Sequence, residues 1–223
     1  MLVSVDLTSG DKHSGEVRRT GTEVTALVLH PTNPSIYAFG TRDGTVSILR
    51  PIHNLNLQNA EVLFKSDTPI ASLSFSPSGK LLLIATQHEA ATLYCLNKKQ
   101  MHQLPDPHEG YVNYVSFASE HVMYSLGSEG KMHLYGVDSD AKEGEEESED
   151  IFGESTASLE IKLIDKYRFA SESVSRKHHF MRGACAPWEG GVILLPGMNA
   201  LQTVSLTQVG SGYQLIREIY SES

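Results

Sequence analysis

The chain has 223 residues, of which 40% are hydrophobic and 20% charged, a composition typical of an ordinary globular protein. Its net charge is −9, and nine acids and one base between Asp138 and Glu154 account for −8 of it, leaving −1 for the rest. A body so near neutrality lacks the basic surplus that drives phosphate binding, which disfavours direct binding of nucleic acid.

The N-terminal residues 2–7 alternate apolar with polar side chains, a pattern that predicts a β-strand and not a signal peptide. No apolar run approaches the roughly 18 residues of a membrane span. The two cysteines, Cys95 and Cys185, can form neither a disulfide framework nor a metal-ligand set, so we expect buried, reduced thiols. We therefore expect a soluble intracellular protein without membrane association.

Three copies of one pattern begin at Glu23, Pro69 and Tyr111. Each copy contains short runs of strand-forming residues separated by turn residues such as Pro77-Ser78-Gly79 and Asp43-Gly44, which predicts small antiparallel sheets. The runs occupy 23–31 and 35–49, then 69–80, 81–86 and 91–96, then 111–117, 122–127 and 130–135.

An outer fourth strand is predicted at 61–65 for the first sheet and at 161–164 or 167–169 for the third. A weaker fourth copy spans 180–187, 191–197 and 201–206, with an outer strand at 213–219. Residues 2–7 fit the third strand of a preceding unit. A period of about 40–45 residues and four strands a unit predict the blades of a β-propeller.

The text of residues 69–80 and 43–46 resembles the WD-repeat family. The resemblance implies an all-β WD40-type β-propeller over 1–223, with about four four-stranded blades and part of another. Propellers of this type commonly have seven blades, so we expect the chain to be a fragment of one. Leu49-Arg50, Tyr94-Cys95 and Tyr135-Gly136 replace the usual Trp-Asp, and only His108-Glu109-Gly110 is similar to the Gly-His element. We therefore expect packing, more than a polar network, to hold the blades.

The order of features, including Thr68-Pro69-Ile70 and the later strand 193–197, is most similar to the N-terminal propeller of the And-1 (chromosome transmission fidelity) family of replisome scaffolds. That resemblance implies a nuclear protein of DNA replication and sister-chromatid cohesion. Its implied partners are replicative helicase and DNA polymerase alpha subunits. The alternative is a WD40 adaptor of another complex, nuclear or cytoplasmic, in ribosome biogenesis, chromatin or ubiquitin ligation.

The acidic stretch at about 138–158 contains few apolar residues and is expected to be a disordered insertion in the third blade. A solvated loop is the plain interpretation. The alternative is an acidic docking motif formed by Glu149, Asp150, Ile151 and Phe152, in which acids precede two large apolar residues.

No catalytic, metal or cofactor site is expected. The pair His178-His179 has no companion at a ligand spacing, and His88-Glu89 lacks a second histidine at Thr92. Neither a nucleophile elbow nor a phosphate-binding loop occurs. We predict instead a protein-interaction scaffold, with a nucleic-acid-associated module as the competing class. Its candidate partner contacts lie at or beside predicted turns: Arg42, Asp43, His88, Glu129, Lys131 and Trp188. For Trp188, packing against a neighbouring loop is the alternative.

Overall fold

The computed structural model describes residues 22–50, 60–138 and 159–168 in full. It also describes the backbone of strands at 2–5, 12–15, 139, 184–185, 192–196, 201–209 and 212–220. All regular elements in these residues are β-strands, and none of them is a helix that could span a membrane.

Eighteen strands are described, and they form one two-stranded sheet and four four-stranded sheets. The two-stranded sheet contains β1 (Leu2–Val5) and β2 (Lys12–Gly15). The first four-stranded sheet contains β3 (Val24–Leu29), β4 (Tyr37–Thr41), β5 (Thr45–Leu49) and β6 (Glu61–Lys65). The second contains β7 (Ile70–Phe75), β8 (Leu81–Thr86), β9 (Thr92–Cys95) and β10 (Gln100–Gln103). The third contains β11 (Val112–Phe117), β12 (Val122–Gly127), β13 (Lys131–Ser139) and β14 (Leu159–Arg168). The fourth contains β15 (Ala184–Cys185), β16 (Val192–Pro196), β17 (Leu201–Val209) and β18 (Gly212–Tyr220).

Every four-stranded sheet is an antiparallel meander in which each strand pairs with the next one along the chain. Gly44, Gly79 and Gly130 occupy turns with φ between 75° and 82°, a conformation that glycine adopts without steric cost. The two alternative outer strands predicted near the end of the third copy form one strand, β14. The sequence pattern did not predict β2 or β10, which are short and largely polar.

The three fully described sheets repeat one backbone detail. The first strand of each sheet, which we call its inner strand, is β3, β7 or β11. Each inner strand has a register shift near its start, at Val24/Ala26, Ile70/Ser72 and Val112/Tyr114. Strands β7 and β11 also lie side by side in parallel, as two hydrogen bonds show: Val115 N donates to Ser72 Oγ and Phe117 N donates to Ser74 Oγ, each at 3.3 Å. The sequence repeat is therefore also a structural repeat.

The second sheet is covered on both of its faces. In β8 every residue is buried, and successive side chains alternate between two apolar clusters. Leu82 and Ile84 join the cluster shared with the first sheet, while Leu83 and Ala85 join the cluster shared with the third. A strand that reads as a continuous apolar run is the expected sequence for burial on two faces.

The outward face of the first sheet is partly open. Leu27 and Leu29 are 53% and 50% exposed, whereas Leu73 and Phe75, which occupy the same places in β7, are 8% and 7% exposed. The difference arises because the preceding sheet covers those two residues of β7.

The acidic stretch begins where β13 ends. Asp138 and Ser139 belong to β13, and Ser139 pairs with Leu159 at the start of β14. Residues 140–158, with Glu149, Asp150, Ile151 and Phe152, lie outside the described residues, as does Trp188.

The burial of β8 on both faces of its sheet leads to a testable prediction. Leu82→Ala and Leu83→Ala should each lower the free energy of unfolding by about 2–5 kcal/mol, since each leaves a cavity at a different interface between sheets. Val62→Ala, at a largely exposed position, should change it by no more than about 0.5 kcal/mol. Urea denaturation of the full chain measures all three. Equal effects at Leu82, Leu83 and Val62 would contradict this packing.

Candidate interaction face

In the three fully described sheets, the hairpins between the second and third strands lie at one end, together with the described connections from one sheet to the next. We call this end the hairpin face and define it by residues 22–23, 42–44, 66–69, 87–91, 104–111 and 128–131. Its parts touch one another: Ser66 N donates to Gly44 O at 2.9 Å, and Ser66 Oγ donates to Glu89 at 3.0 Å. Neighbouring sheets thus brace each other here by direct hydrogen bonds.

Each of the three described hairpins carries one acid at the same place, as Asp43, Glu89 and Glu129. The Thr41 hydroxyl donates to Asp43 and lowers the pKa of that carboxyl. Glu89 accepts the bond from Ser66 across the sheet boundary. Glu129 is the deepest of the three and bonds to His108, which precedes the third sheet.

A polar network extends from Glu129 into the third sheet. His108 Nδ1 lies 2.5 Å from Glu129 Oε1, and His108 Nε2 lies 2.7 Å from Ser125 Oγ. Since a carboxylate only accepts, Nδ1 carries the proton and Nε2 accepts from Ser125. The Ser125 hydroxyl in turn lies 3.3 Å from the Tyr135 hydroxyl. The sequence predicts that apolar packing stabilises the sheets more than polar networks do, yet the third sheet contains a continuous chain of hydrogen-bonded side chains.

His133 extends this network on the other side. Its ring stacks on His108 with centroids 3.9 Å apart and planes 13° apart, and its Nδ1 donates to Asp106 O at 3.1 Å. Burial lowers the pKa of His133 to about 4, and the neighbouring charges of His108 and Lys166 act in the same direction. Burial also raises the pKa of Tyr135 to about 12.

The pKa of Glu129 reflects two opposing effects. Burial alone would raise it, while the hydrogen bond and charge of His108 and a backbone hydrogen bond bring it below its ordinary value. The carboxylate therefore stays ionised beside the ring of His108. This charge stabilises the protonated Nδ1 tautomer of His108.

Ser125, His108 and Glu129 are spaced like a nucleophile, its base and the group that orients the base. Ser125 is 0% exposed in the middle of β12, so no substrate can reach its hydroxyl in this structure. The ligand atoms of His108, Glu129 and His133 also lie within 4.8 Å of one another. Two imidazole rings stacked in parallel cannot both direct an in-plane lone pair at one ion, so this arrangement does not fit a metal centre. The hydrogen bonds of the cluster instead join three parts of the chain: the connection before the third sheet, the hairpin between β12 and β13, and strand β12 itself.

Four of the candidate contact residues occupy the outer part of the hairpin face. Arg42 is largely exposed and pairs with Glu23 at 2.8 Å, and Asp43 is exposed beside it. His88 is exposed and packs edge-on against Tyr111, with ring centroids 4.6 Å apart. Lys131 pairs with Glu109 at 3.0 Å.

Glu129 differs from these four because its side chain is only 16% exposed and bonds inward to His108. Sequence reasoning missed Tyr111, Ser125 and His133. In the first sheet the residues equivalent to Ser125 and His133 are Phe39 and Ser47. Because these positions differ between the repeats, the repeat pattern does not mark them as functional. The one sequence signal for the network is His108-Glu109-Gly110, which is similar to the Gly-His element of WD repeats.

The sequence matches no family model and no curated protein. Its fold is similar to the β-propeller domain of Cps50 (Swd1) from Myceliophteria thermophila, with a TM-score of 0.67, 12% identity, and coverage of 98% of this chain and 66% of that chain. A chain of Chaetomium thermophilum Polycomb Repressive Complex 2 bound to GSK126 gives a TM-score of 0.62, 15% identity, and coverage of 91% and 51%.

At these identities the likeness shows the fold alone, which confirms the prediction of an all-β propeller built from four-stranded blades. The chain spans 66% and 51% of the lengths of the two matched chains.

Removing the Ser125 hydroxyl should destabilise the third sheet. Ser125→Ala leaves His108 Nε2 and the Tyr135 hydroxyl without a shared partner and should cost about 1–3 kcal/mol of unfolding free energy. Ser116→Ala is a matched control, because that buried hydroxyl bonds only to the adjacent Phe117 carbonyl. Urea titration should show coupling of at least about 0.5 kcal/mol between Ser125→Ala and Tyr135→Phe. Additive effects, or an equal cost at Ser116, would show that no network operates.

Burial of His133 should make the fold sensitive to acid. In the folded protein the pKa of His133 is about 4, whereas in the unfolded chain it is near 6.5. The stabilisation from burying the neutral ring is therefore complete above about pH 6.5 and is lost as the pH falls toward 4. The free energy of unfolding should fall by about 2 kcal/mol between about pH 7 and pH 5. In His133→Phe this part of the pH dependence should be absent. Denaturant titrations at several pH values measure it, and identical slopes in both proteins would refute the assignment.

Proposed function

We propose that the chain is a non-catalytic adaptor that binds partner proteins through the hairpin face. The observation that carries the proposal is the combination of polar side chains and a rigid base. Arg42, Asp43 and His88 are exposed in hairpin turns, partly buried Lys131 begins strand β13, and hydrogen bonds fix these turns to buried sheets. Side chains held in place before binding lose little conformational entropy when a partner docks. The burial of Ser125 supports the non-catalytic part of the proposal.

Nucleic acid is the weaker candidate for this face. Its defining residues contain seven acids and two strong bases, the bases being Arg42 and Lys131. Each of these bases is already paired with a carboxylate, Glu23 or Glu109. A phosphate backbone would meet net negative charge here, so a protein partner is favoured.

For the cellular assembly we propose a replisome role, with helicase or DNA polymerase alpha subunits as partners in the nucleus. The support is the resemblance of residues 43–46, 68–70 and 193–197 to the And-1 family of replisome scaffolds. A chromatin complex is the second candidate, because one structural neighbour is a chain of Polycomb Repressive Complex 2.

We also propose a second contact surface at the opposite end of the third sheet. Ser139 and Leu159 pair at that end, so the acidic stretch leaves and re-enters the sheet away from the hairpin face. The motif Glu149, Asp150, Ile151 and Phe152 belongs to that stretch. An adaptor with two separated surfaces can hold two partners at once.

Quantitative affinity capture of the full chain from cells tests the proposal. The triple variant Arg42→Ala, His88→Ala, Lys131→Ala should lose at least about tenfold of a specific partner, since central contacts dominate binding. The matched control combines Lys80→Ala, Met101→Ala and Lys99→Ala, all exposed residues outside the hairpin face. Recovery of helicase or polymerase alpha subunits supports the replisome role, and recovery of chromatin subunits supports the second candidate. Equal recovery by both variants would overturn the hairpin face as the binding surface.

A further inference from the structure

Within the part of the chain that the structure describes, Tyr111 is the only exposed large hydrophobic residue of the hairpin face. The other exposed large apolar residues lie within strands, namely Leu27, Leu29, Val62, Met101 and Ile164. Tyr111 is 52% exposed although it stands directly before the buried strand β11. A large exposed ring at this place is a candidate anchor for a partner.

The backbone of Tyr111 is fixed on both sides. Tyr111 N donates to Ser128 Oγ at 2.9 Å, and Ser128 N donates to Tyr111 O at 2.8 Å. The side chain contacts the ring of His88, which comes from the hairpin of the second sheet. A tyrosine positioned by two sheets presents contact area with little loss of entropy on binding.

The charge around this ring is predominantly negative. The hairpin face contains seven acids against two strong bases, and the acids are Glu23, Asp43, Asp67, Glu89, Asp106, Glu109 and Glu129. The strand ends beside it add Lys65, Lys166 and Arg168, so seven acids and five bases leave this end of the sheets with a net charge of −2. Three of the acids, Asp43, Asp67 and Glu89, form no ion pair with any residue in the described ranges, and Glu89 directly follows His88 in the chain. The resulting field attracts a cationic group toward the ring.

The opposite end of the same sheets has a different balance. Among its described residues, five bases face four acids: Arg50, Lys80, Lys98, Lys99 and Lys162, with Glu61, Glu120, Asp138 and Glu160. The chain outside the acidic stretch is nearly neutral as a whole, so the negative charge of the hairpin face reflects an uneven distribution. Charge complementarity thus selects both the face and the sign of its partner.

We propose that the hairpin face docks a segment of a partner protein that is rich in lysine and arginine, with Tyr111 as its anchor. The aliphatic stem of a basic side chain lies along the exposed part of the ring, and its charged head is directed to Glu89 and Asp67. The proposal rests on the adaptor function above and specifies the chemistry of the partner.

Fluorescence anisotropy with the full chain tests this proposal. The probe is a labelled peptide that repeats Lys-Gly-Arg-Ala, and its control carries glutamate and aspartate in place of the basic residues. The wild-type chain should bind the basic probe, more weakly as salt rises, and should not bind the acidic one. Tyr111→Ala should weaken binding about tenfold, while Tyr111→Phe, which keeps the ring, should retain it.

Three further variants separate the effect of charge from general damage to the fold. Glu89→Gln should weaken binding about threefold and reduce the salt dependence, because it removes one exposed charge next to the anchor. Met101→Ala and Glu160→Gln remove an exposed apolar side chain and an exposed acid elsewhere, and should leave binding unchanged.

Failure of the basic probe to bind, equal binding of both probes, or an unchanged affinity in Tyr111→Ala would overturn the inference. If affinity capture still depends on the hairpin face while the basic probe does not bind, the adaptor function stands and this inference falls. If the probe binds through Tyr111 but cellular capture does not depend on the hairpin face, the inference stands and the adaptor function falls.

Discussion

Burial of the second sheet between its two neighbours is the constraint on which the rest of the structure depends. A four-stranded antiparallel sheet of this size has two faces, and here both of them are apolar in the strand β8. Leu82 and Leu83 are adjacent in the chain yet belong to the cores of different interfaces. This requirement places the inner strands side by side in parallel, and the parallel arrangement brings all the hairpins to one end. The interaction face is therefore a consequence of packing.

The polar network in the third sheet adds a local connection that packing alone does not provide. His108 belongs to the connection from the second sheet, Glu129 to the hairpin, and Ser125 to the middle of β12. Their hydrogen bonds join three pieces of chain at the base of the hairpin face. Ser128 is part of the same hairpin and holds the backbone of Tyr111. A rigid interior thus supports an exposed aromatic side chain a few residues away.

Most of the fold could be predicted from the sequence because its signals are local. Alternating or continuous apolar runs and turns such as Asp43-Gly44 depend on neighbouring residues only, and they predict every strand of the four-stranded sheets except β10. β2 and β10 were missed because short polar edge strands carry no apolar pattern. The pairing of His108 with Ser125 was also missed. It depends on tertiary proximity across 17 residues, and no periodicity encodes it.

The candidate site was predictable in position but less so in role. Turn residues such as Arg42 and His88 were assigned to the surface by their place in a hairpin, and the structure has them exposed. Glu129 also lies in a hairpin, yet its hydrogen bond to His108 turns its side chain inward. The sequence predicts Tyr111 as the first residue of a repeat. Its ring is 52% exposed in the structure although Val112, the next residue, is buried, and no local pattern predicts that difference.

The most direct test of the adaptor account is site-specific photo-crosslinking in living cells. A photoreactive amino acid replaces His88 on the hairpin face in one protein and Met101, an exposed residue of β10, in another. The account predicts a discrete crosslinked partner from position 88, reduced by Tyr111→Ala, and none from position 101. Absence of a crosslink at position 88, or the same products from both positions, would contradict it.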